Sequence, residues 1–411
     1  MRAPAGPPRW SLPACTRPSV EPRLLFSKGD RDKLDLTRPQ FGEEELKKLR
    51  ECLESGWVTQ GPLVRQFEEL IAARHQVKHA LATTSCTAAL HLATLALDLG
   101  PGDEVVVPAF TWVTSAHAAE YVGARAVFAD VEPDTFNLDP KSLEAALTPR
   151  TKALVVVHLF GLAARMKEIL AIARRHALAV IEDAACAIGT TYDGRPVGSL
   201  GDISCFSFHP RKIITTGEGG AVTTENDALA AAVRSLRNHG ATGLPPALSA
   251  RPTPWAMSGF DRLGFNLRLS DIQAAVGVAQ MARLDGLLAE RKKLALQYGE
   301  RLSAIPGIAL PSSPPGCGHT YQSYVIRVLE GGRERRNRVM ERLETKSIQT
   351  RPGTHSAHRL GYYAKKYGLR PEDFPVAATS EDTTITLPMF PGMTVADQEL
   401  VVRELSSAMA A

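Results

Sequence analysis

The sequence predicts an α/β fold: a mostly parallel β-sheet with helices on both faces, followed by a smaller C-terminal α+β region. Three observations carry this. Short apolar runs alternate with helical patterns between about residues 40 and 237, and such alternation means parallel strands joined by helical crossovers. The runs are apolar throughout, as in Leu178-Ala179-Val180-Ile181, which marks strands covered on both faces. A long helical stretch from about 271 to 303 then leads out of the alternating region.

The first 34 residues hold Pro4, Pro7, Pro8, Pro13, Pro18 and Pro22 without an apolar signal core. The prolines exclude a helix, and the segment reads as a disordered leader. Helices are then expected at 42–55 and 63–74, a strand at 79–84, a helix at 87–99 and a strand at 104–109. The pattern continues with a helix at 113–122, a strand at 124–131, a helix at 140–147 and a strand at 152–159. Asp139-Pro140 supports the helix at 140–147, with an N-cap followed by proline at the first helical position. A helix at 166–176, strands at 178–183, 202–208 and 220–224, and a helix at 227–237 complete the series. Beyond the long helix lie strands near 321–328 and 383–387 and helices near 331–345 and 395–409. The division is a leader at 1–34, a large domain at 35–285 and a small domain at 286–411.

With 411 residues, 44% of them hydrophobic, the chain supports two domains with sizeable cores. The net charge of +4, from 48 basic and 44 acidic residues, gives no reason to expect nucleic acid. Cysteines 15, 52, 86, 186, 205 and 317 form no C-x-x-C pair. That pattern points to reduced thiols in a cytoplasmic protein and no structural metal. No run approaches the roughly 18 apolar residues of a membrane span. The dinucleotide and P-loop glycine fingerprints are both absent.

The chemistry concentrates at Ser207-Phe208-His209-Pro210-Arg211-Lys212 and the Gly217-Glu218-Gly219-Gly220 turn behind it. A lysine at the mouth of a sheet, with a serine five residues before it, suits a Schiff base to an aldehyde cofactor whose phosphate the serine meets. A plain surface lysine is the alternative. Upstream, Leu178 to Asp183 is a buried strand ending in two acids. Pyridoxal 5'-phosphate needs a carboxylate against its ring nitrogen, and Asp183 is placed for that or for capping the next helix. Glu182 would face the other way. Further upstream, Ser85, Cys86 and Thr87 open a helix, as a phosphate site or as ordinary caps.

These stretches resemble the DegT/DnrJ/EryC1/StrS family of sugar aminotransferases, of fold type I. The likeness runs from about residue 35 to 405. It also includes Ser55 to Pro62, Pro108-Ala109-Phe110-Thr111-Trp112, Arg237-Asn238-His239-Gly240, Gly264 to Leu269 and Leu387 to Gly392. The resemblance implies that Lys212 carries pyridoxal phosphate and shuttles a proton, and that Asp183 pairs with the ring nitrogen. It implies that Ser207, Ser85, Cys86 and Thr87 hold the phosphate. Trp112 would stack on the ring, unless it is a core or interface tryptophan. Asn266 would reach the phosphate of the partner in a homodimer with shared sites, unless it is a turn residue. Cys186 stands where the family often has Gln or His, which puts the contact to the ring oxygen in question. His355 and His358 would lie near substrate or be solvated loop residues; His209 would tune the lysine or simply pack. The implied reaction moves an amino group from glutamate or glutamine to a keto-sugar, often nucleotide-linked, or a keto-cyclitol. A sugar dehydratase with histidine in place of the lysine, or a regulator lacking Lys212 or Asp183, are the alternatives; both residues are present.

Overall fold

Seven strands build the central sheet of the computed structural model, which describes residues 33–243 and 253–410. They are β1 (His79–Thr83), β2 (Glu104–Pro108), β3 (Arg125–Ala129), β4 (Thr151–Val157), β5 (Ala179–Asp183), β6 (Ile203–Ser207) and β7 (Gly220–Thr224). Each lies where the apolar runs place it, with ends displaced by at most two residues. Their order in space is β1-β7-β6-β5-β4-β2-β3. Strand β7 runs antiparallel to both its neighbours; the remaining pairs are parallel.

The helices are α1 (Glu43–Ser55), α2 (Pro62–His75), α3 (Cys86–Ala96), α4 (Thr114–Tyr121), α5 (Pro140–Ala145) and α6 (Met166–Arg175). After them come α7 (Asp227–Leu236), α8 (Asp271–Leu302), α9 (Gly332–Thr345), α10 (Gly361–Tyr367), α11 (Pro375–Thr383) and α12 (Val395–Ala410). Strand side chains alternate between faces, and the core follows that period. Val105, Val107, Val155 and Ile181 pack against α3, α4 and α7. Val106, Leu154, Val156 and Val180 pack against α6. Ala80, Ala82, Phe206 and Ala221 pack against α2 and the first half of α8.

Helix α8 has 32 residues, about 48 Å at the usual rise per residue. Ser270 caps it with a capping box to Gln273. Asp271 in its first turn caps a second helix, accepting from the N–H groups of Gly61 and Val64 at 2.8 and 3.0 Å at the start of α2. The second half of α8 buries Leu294, Tyr298 and Leu302 in another core with α9 and α12. That core covers a three-stranded antiparallel sheet of β8 (Ile308–Ala309), β9 (Tyr324–Val328) and β10 (Thr384–Leu387).

Some expectations shift. Residues 1–32 of the expected leader lie outside the described residues, while Leu34 is buried and donates its N–H to Ser347 at 2.8 Å. The expected boundary at 285/286 falls inside the unbroken α8, and from Leu34 onward the chain is one compact unit. The segment 355–378 returns to the large sheet: His355 pairs with Thr111, Ser356 with Phe110, and Tyr363 and Ala377 enter the core over α3 and α4. Its helices α10 and α11 lack the apolar 3.6-residue period that reveals a helix in sequence. The helix expected to reach residue 99 stops at Ala96, because Asp98 takes a left-handed φ of 58°.

Glu182 and Asp183 end β5 and face opposite ways. Glu182 is fully buried and accepts from Ser204 Oγ at 2.8 Å and from the N–H groups of Gly198, Leu200 and Gly201 at 3.2, 2.9 and 2.8 Å. His158 Nδ1 accepts from Ala164 N–H, so the ring proton sits on Nε2 and is donated to Glu182 at 2.9 Å. Burial alone would raise the carboxyl. The bond from His158 and the N–H groups of Gly201 and Gly198 outweigh it and lower it from 4.5 to about 2. A folded-state pKa below the unfolded one gives stability that is present above pH 4.5 and lost as pH falls toward 2. The loss is on the order of 3 kcal/mol. We predict that Glu182→Gln is less stable at neutral pH and lacks this acid-dependent component. Chemical denaturation of both proteins across the window checks it; identical slopes would place the acid sensitivity elsewhere.

Candidate active site

Strand register assembles the site. Thr83 pairs with Gly220, and Gly220 with Ser207. Asp183 pairs with Val157 on one side and Cys205 on the other. The carboxyl ends of β1, β4, β5 and β6 therefore share one edge, where ligands of open α/β sheets bind. After β1 the chain turns into α3 at Ser85, whose Oγ accepts from Ala88 N–H at 3.1 Å. The N–H groups of Cys86 and Thr87 lie in the first turn, which has no helical acceptors, at the positive end of the helix dipole. Gly220 lets β7 pass beneath: a Cβ there would lie 2.4 Å from the Ser85 carbonyl carbon and 2.6 Å from Cys86 N.

The chain leaves β6 at Ser207 and doubles back through a tight turn. Phe208 N–H donates to Gly219 O at 2.9 Å, and Thr216 N–H to Phe208 O at 3.0 Å. His209 holds the inner part: its Nδ1 accepts from Arg211 N–H at 3.2 Å and its carbonyl from Lys212 N–H at 2.8 Å. This turn carries the half-buried Lys212, whose Nζ sits 3.1 Å from Cys186 Sγ. Burial by itself would lower the amine; the sulfurs of Cys186 and Cys86 and the carboxylate of Asp183 outweigh it, and the amine is raised. Burial pushes the Cys86 and Cys205 thiols up, with the Asp183 charge adding to it.

Asp183 is 4% exposed. Its Oδ2 accepts from Ser115 Oγ at 2.7 Å, and Ser115 is 3.0 Å from Thr111 Oγ1. Its Oδ1 accepts from Ala185 N–H at 3.1 Å. One oxygen thus closes the local turn after β5 and the other is fixed from α4.

A cleft of about 460 Å³ opens over this edge. Ser85, Cys86, Thr87, Trp112, Asp183, Cys186, Ser207, His209 and Lys212 all line it. Three expected residues do not. Asn266 is exposed and bridges to Asn238, away from the cleft. His355 lies in an adjoining cavity of about 460 Å³ that shares Trp112 with the cleft, and its ring is 5.6 Å from the Trp112 ring. His358 is fully buried against Phe374, so the expectation of a substrate-facing or solvated histidine is corrected: it is a core residue. Sequence reasoning missed Ser115, Arg351 and Thr354. Ser115 follows Thr111 by four residues, a spacing that joins the two hydroxyls. Arg351 and Thr354 carried no signal beyond their nearness to the histidine pair. A cavity of about 470 Å³ between Pro140 and Arg175 on the surface of α5 and α6 gathers no reactive group.

The donor set fits pyridoxal phosphate. Asp183 offers a fixed carboxylate, Lys212 an amine, Ser207 a hydroxyl and α3 unpaired N–H groups, on one edge. The family model for the DegT/DnrJ/EryC1/StrS aminotransferase family matches residues 39–406. The chain belongs to that family. It is an aminotransferase, and its cofactor is pyridoxal phosphate. It is 39% identical over 387 residues to the GDP-perosamine synthase of Caulobacter vibrioides, covering 92% of this chain and 99% of that one. It superposes with a TM-score of 0.87 on Spr1654 of Streptococcus pneumoniae in its PMP form, described as a sugar aminotransferase, at 27% identity over 92% of this chain and 99% of the other. Spr1654 is also known in a PLP form. DesV of S. venezuelae gives a TM-score of 0.81 at 33% identity, over 90% and 95% of the two chains.

Cys186 replaces a residue that the family resemblance implies to be Gln or His, and its sulfur meets the lysine instead of standing apart as a poor hydrogen-bond former. Capture of an aldehyde needs the neutral amine. We predict that Cys186→Ala lowers the Lys212 pKa and moves the pH profile of pyridoxal phosphate capture to lower pH. Stopped-flow absorbance of unloaded protein mixed with cofactor checks this; an unmoved profile would show that the sulfur does not tune the amine.

Proposed function

We propose that this enzyme moves an amino group from glutamate or glutamine to a keto-sugar, nucleotide-linked in the favoured case, or to a keto-cyclitol. The observation that carries the reading is the row of Lys212, Asp183, Ser207 and the α3 turn along one sheet edge, in a chain 39% identical to a GDP-perosamine synthase. Bound pyridoxal phosphate supplies an electron sink for the carbon that loses its proton. Lys212 Nζ takes that proton and returns it one position away. Asp183, held by Ser115 and Ala185, would meet the ring nitrogen. Ser207, Thr87 and the first turn of α3 would hold the phosphate, and Trp112 would cover the ring. The turn built by His209 and Phe208 keeps the amine in place between steps, so that little reorganisation is needed at each transfer.

The active unit in this reading is a cytoplasmic homodimer with shared sites. Each chain contributes a large domain to about residue 285 and a small domain after it. What supports sharing is the exposed position of Asn266, outside the cleft of its own chain. Asn266 is fixed there by backbone pairing: Phe265 N–H donates to Leu236 O at 2.7 Å and Leu267 N–H to Arg237 O at 2.9 Å.

The donor and acceptor are tested together. Purified enzyme is incubated with nitrogen-labelled glutamate or glutamine and a panel of nucleotide-linked keto-sugars and keto-cyclitols. We expect label in an amino sugar or aminocyclitol, and none with Lys212→Ala. Labelled amine appearing only on simple keto acids would overturn the acceptor class. For the shared site, inactive Lys212→Ala and inactive Asn266→Asp are mixed and allowed to exchange subunits. Half the dimers are then mixed, each with one site free of lesions, so about a quarter of wild-type activity returns. No recovery despite demonstrated exchange would place Asn266 within its own chain.

A further inference from the structure

The cleft carries two guanidinium groups that its cofactor chemistry does not use. Arg211 and Arg351 both line the cleft beside Lys212, and both line the adjoining cavity past Trp112. Other arginines nearby are neutralised: Arg333 pairs with Asp382 at 2.6 Å, and Arg359 with Asp382 and Glu381 at 2.9 and 3.1 Å. Arg336 donates to the carbonyls of Glu381 and Thr384. Among the described residues, Arg211 and Arg351 form no ion pair with a carboxylate.

Arg351 is held rigidly without being neutralised. Its Nε and one terminal nitrogen donate to the carbonyls of Pro352 and Gly353 at 3.3 and 3.1 Å, which leaves the other terminal nitrogen outside both bonds. Thr386 N–H donates to the Arg351 carbonyl at 2.7 Å and ties that residue to β10. Burial lowers the Arg351 guanidinium, and the charge of Arg211 lowers it further while Cys186 acts against both, so all three groups lie within electrostatic range. Cys186 in turn touches Lys212 Nζ. Arg211 is exposed, and its backbone is fixed by Gln322 Nε2 donating to its carbonyl at 2.8 Å. Two unneutralised cations, one half-buried and one exposed, that line the cleft together with Lys212 constitute a site for an anion.

Building on the aminotransferase reading, we propose that Arg351 binds the α-carboxylate of the amino donor and that Arg211 supplies the second charge of that subsite. The choice over a sugar diphosphate rests on reach. An α-carboxylate is bonded to the carbon that gives its proton to Lys212 Nζ, so it must lie in the part of the cleft that Lys212 lines, a cleft that Arg351 lines as well. A diphosphate is separated from the reacting carbonyl by the width of a sugar ring. Carboxylate and guanidinium also match as a planar two-point pair, which lysine cannot reproduce.

The test uses the loaded enzyme and separates the half-reactions. The donor half is followed by the loss of the pyridoxal absorbance on mixing with glutamate or glutamine, without acceptor. Glutarate and inorganic pyrophosphate are titrated separately by calorimetry. For Arg351→Gln we expect glutarate binding and half-saturation by donor to weaken roughly tenfold to a hundredfold, the loss given by one charged hydrogen bond. Pyrophosphate binding should stay within about threefold, inside the usual scatter of such measurements. Arg351→Lys should recover only part of the donor affinity. Arg211→Gln, at an exposed position, should weaken glutarate with no loss of thermal stability. Pyrophosphate weakened while glutarate is unchanged would assign the pair to the acceptor and overturn the proposal. So would donor binding unchanged in both variants. Wild-type enzyme whose cofactor no amino acid converts would instead overturn the aminotransfer reading itself.

Discussion

The last two residues of β5 set the geometry of this enzyme. Strand alternation sends Glu182 and Asp183 to opposite faces, and each fixes what lies on its side. Glu182 collects five donors from His158, the 198–201 loop and Ser204, which locks β5, β6 and the end of β4 in register. Asp183 then stands at a defined height beside Cys205, and Ser207 follows two residues on. Moving β5 by one residue would exchange the two acids, placing the structural carboxylate in the cleft and the chemical one in the core. The buried network therefore stabilises the fold and specifies the active-site register through the same carboxylate.

The sheet was legible because its signal is local. A strand buried on both faces is apolar at each position, and seven such runs separated by helical patterns admit few topologies. The residues on the carboxyl edge were legible for the same reason: Asp183 and Ser207 end strands, and Ser85 and Lys212 lie on the turns that leave them. What escaped is what the chain brings back from a distance. Arg351 and Thr354 sit some 140 residues beyond Lys212 in sequence, on a segment whose helices α10 and α11 have no clean apolar period. His355 and His358 show the limit well. They are three apart in sequence, yet one borders Trp112 in an open cavity and the other is sealed against Phe374. Spacing alone does not tell those environments apart, because the turn between them is fixed by pairing with Phe110 and Thr111, far upstream.

That return of 351–358 also explains why the division into two domains is less clean than composition implies. The small sheet has its own core, but β10 carries Thr386 against Arg351, and the residues after Arg351 pair with the strand that leads into Trp112 and Ser115. One wall of the cleft thus comes from the large sheet and the other from a segment anchored in both cores. Helix α8 does the same on the far side, with its first half in one core and its second half in the other. Relative motion of the two parts is constrained at both ends, which suits a site that must hold a small reacting centre unchanged while two different substrates enter in turn.

The close placing of Cys186 and Lys212 bears on how such a site manages charge. The cleft edge gathers Lys212, Arg211 and Arg351 around Asp183 and Glu218. A raised amine is a poor nucleophile at neutral pH, yet a cation there also attracts a phosphate and a carboxylate-bearing donor into the cleft. Arg211 and Arg351 add two further cations to the cleft that Lys212 lines. Neither arginine has a carboxylate partner among the described residues, which suits the proposed binding of a ligand that comes and goes. A permanent acid at that position would neutralise the cleft and repel the donor. Among the described residues Arg211 and Arg351 form no ion pair, in contrast with Arg333 and Arg359, whose acids make them part of the scaffold.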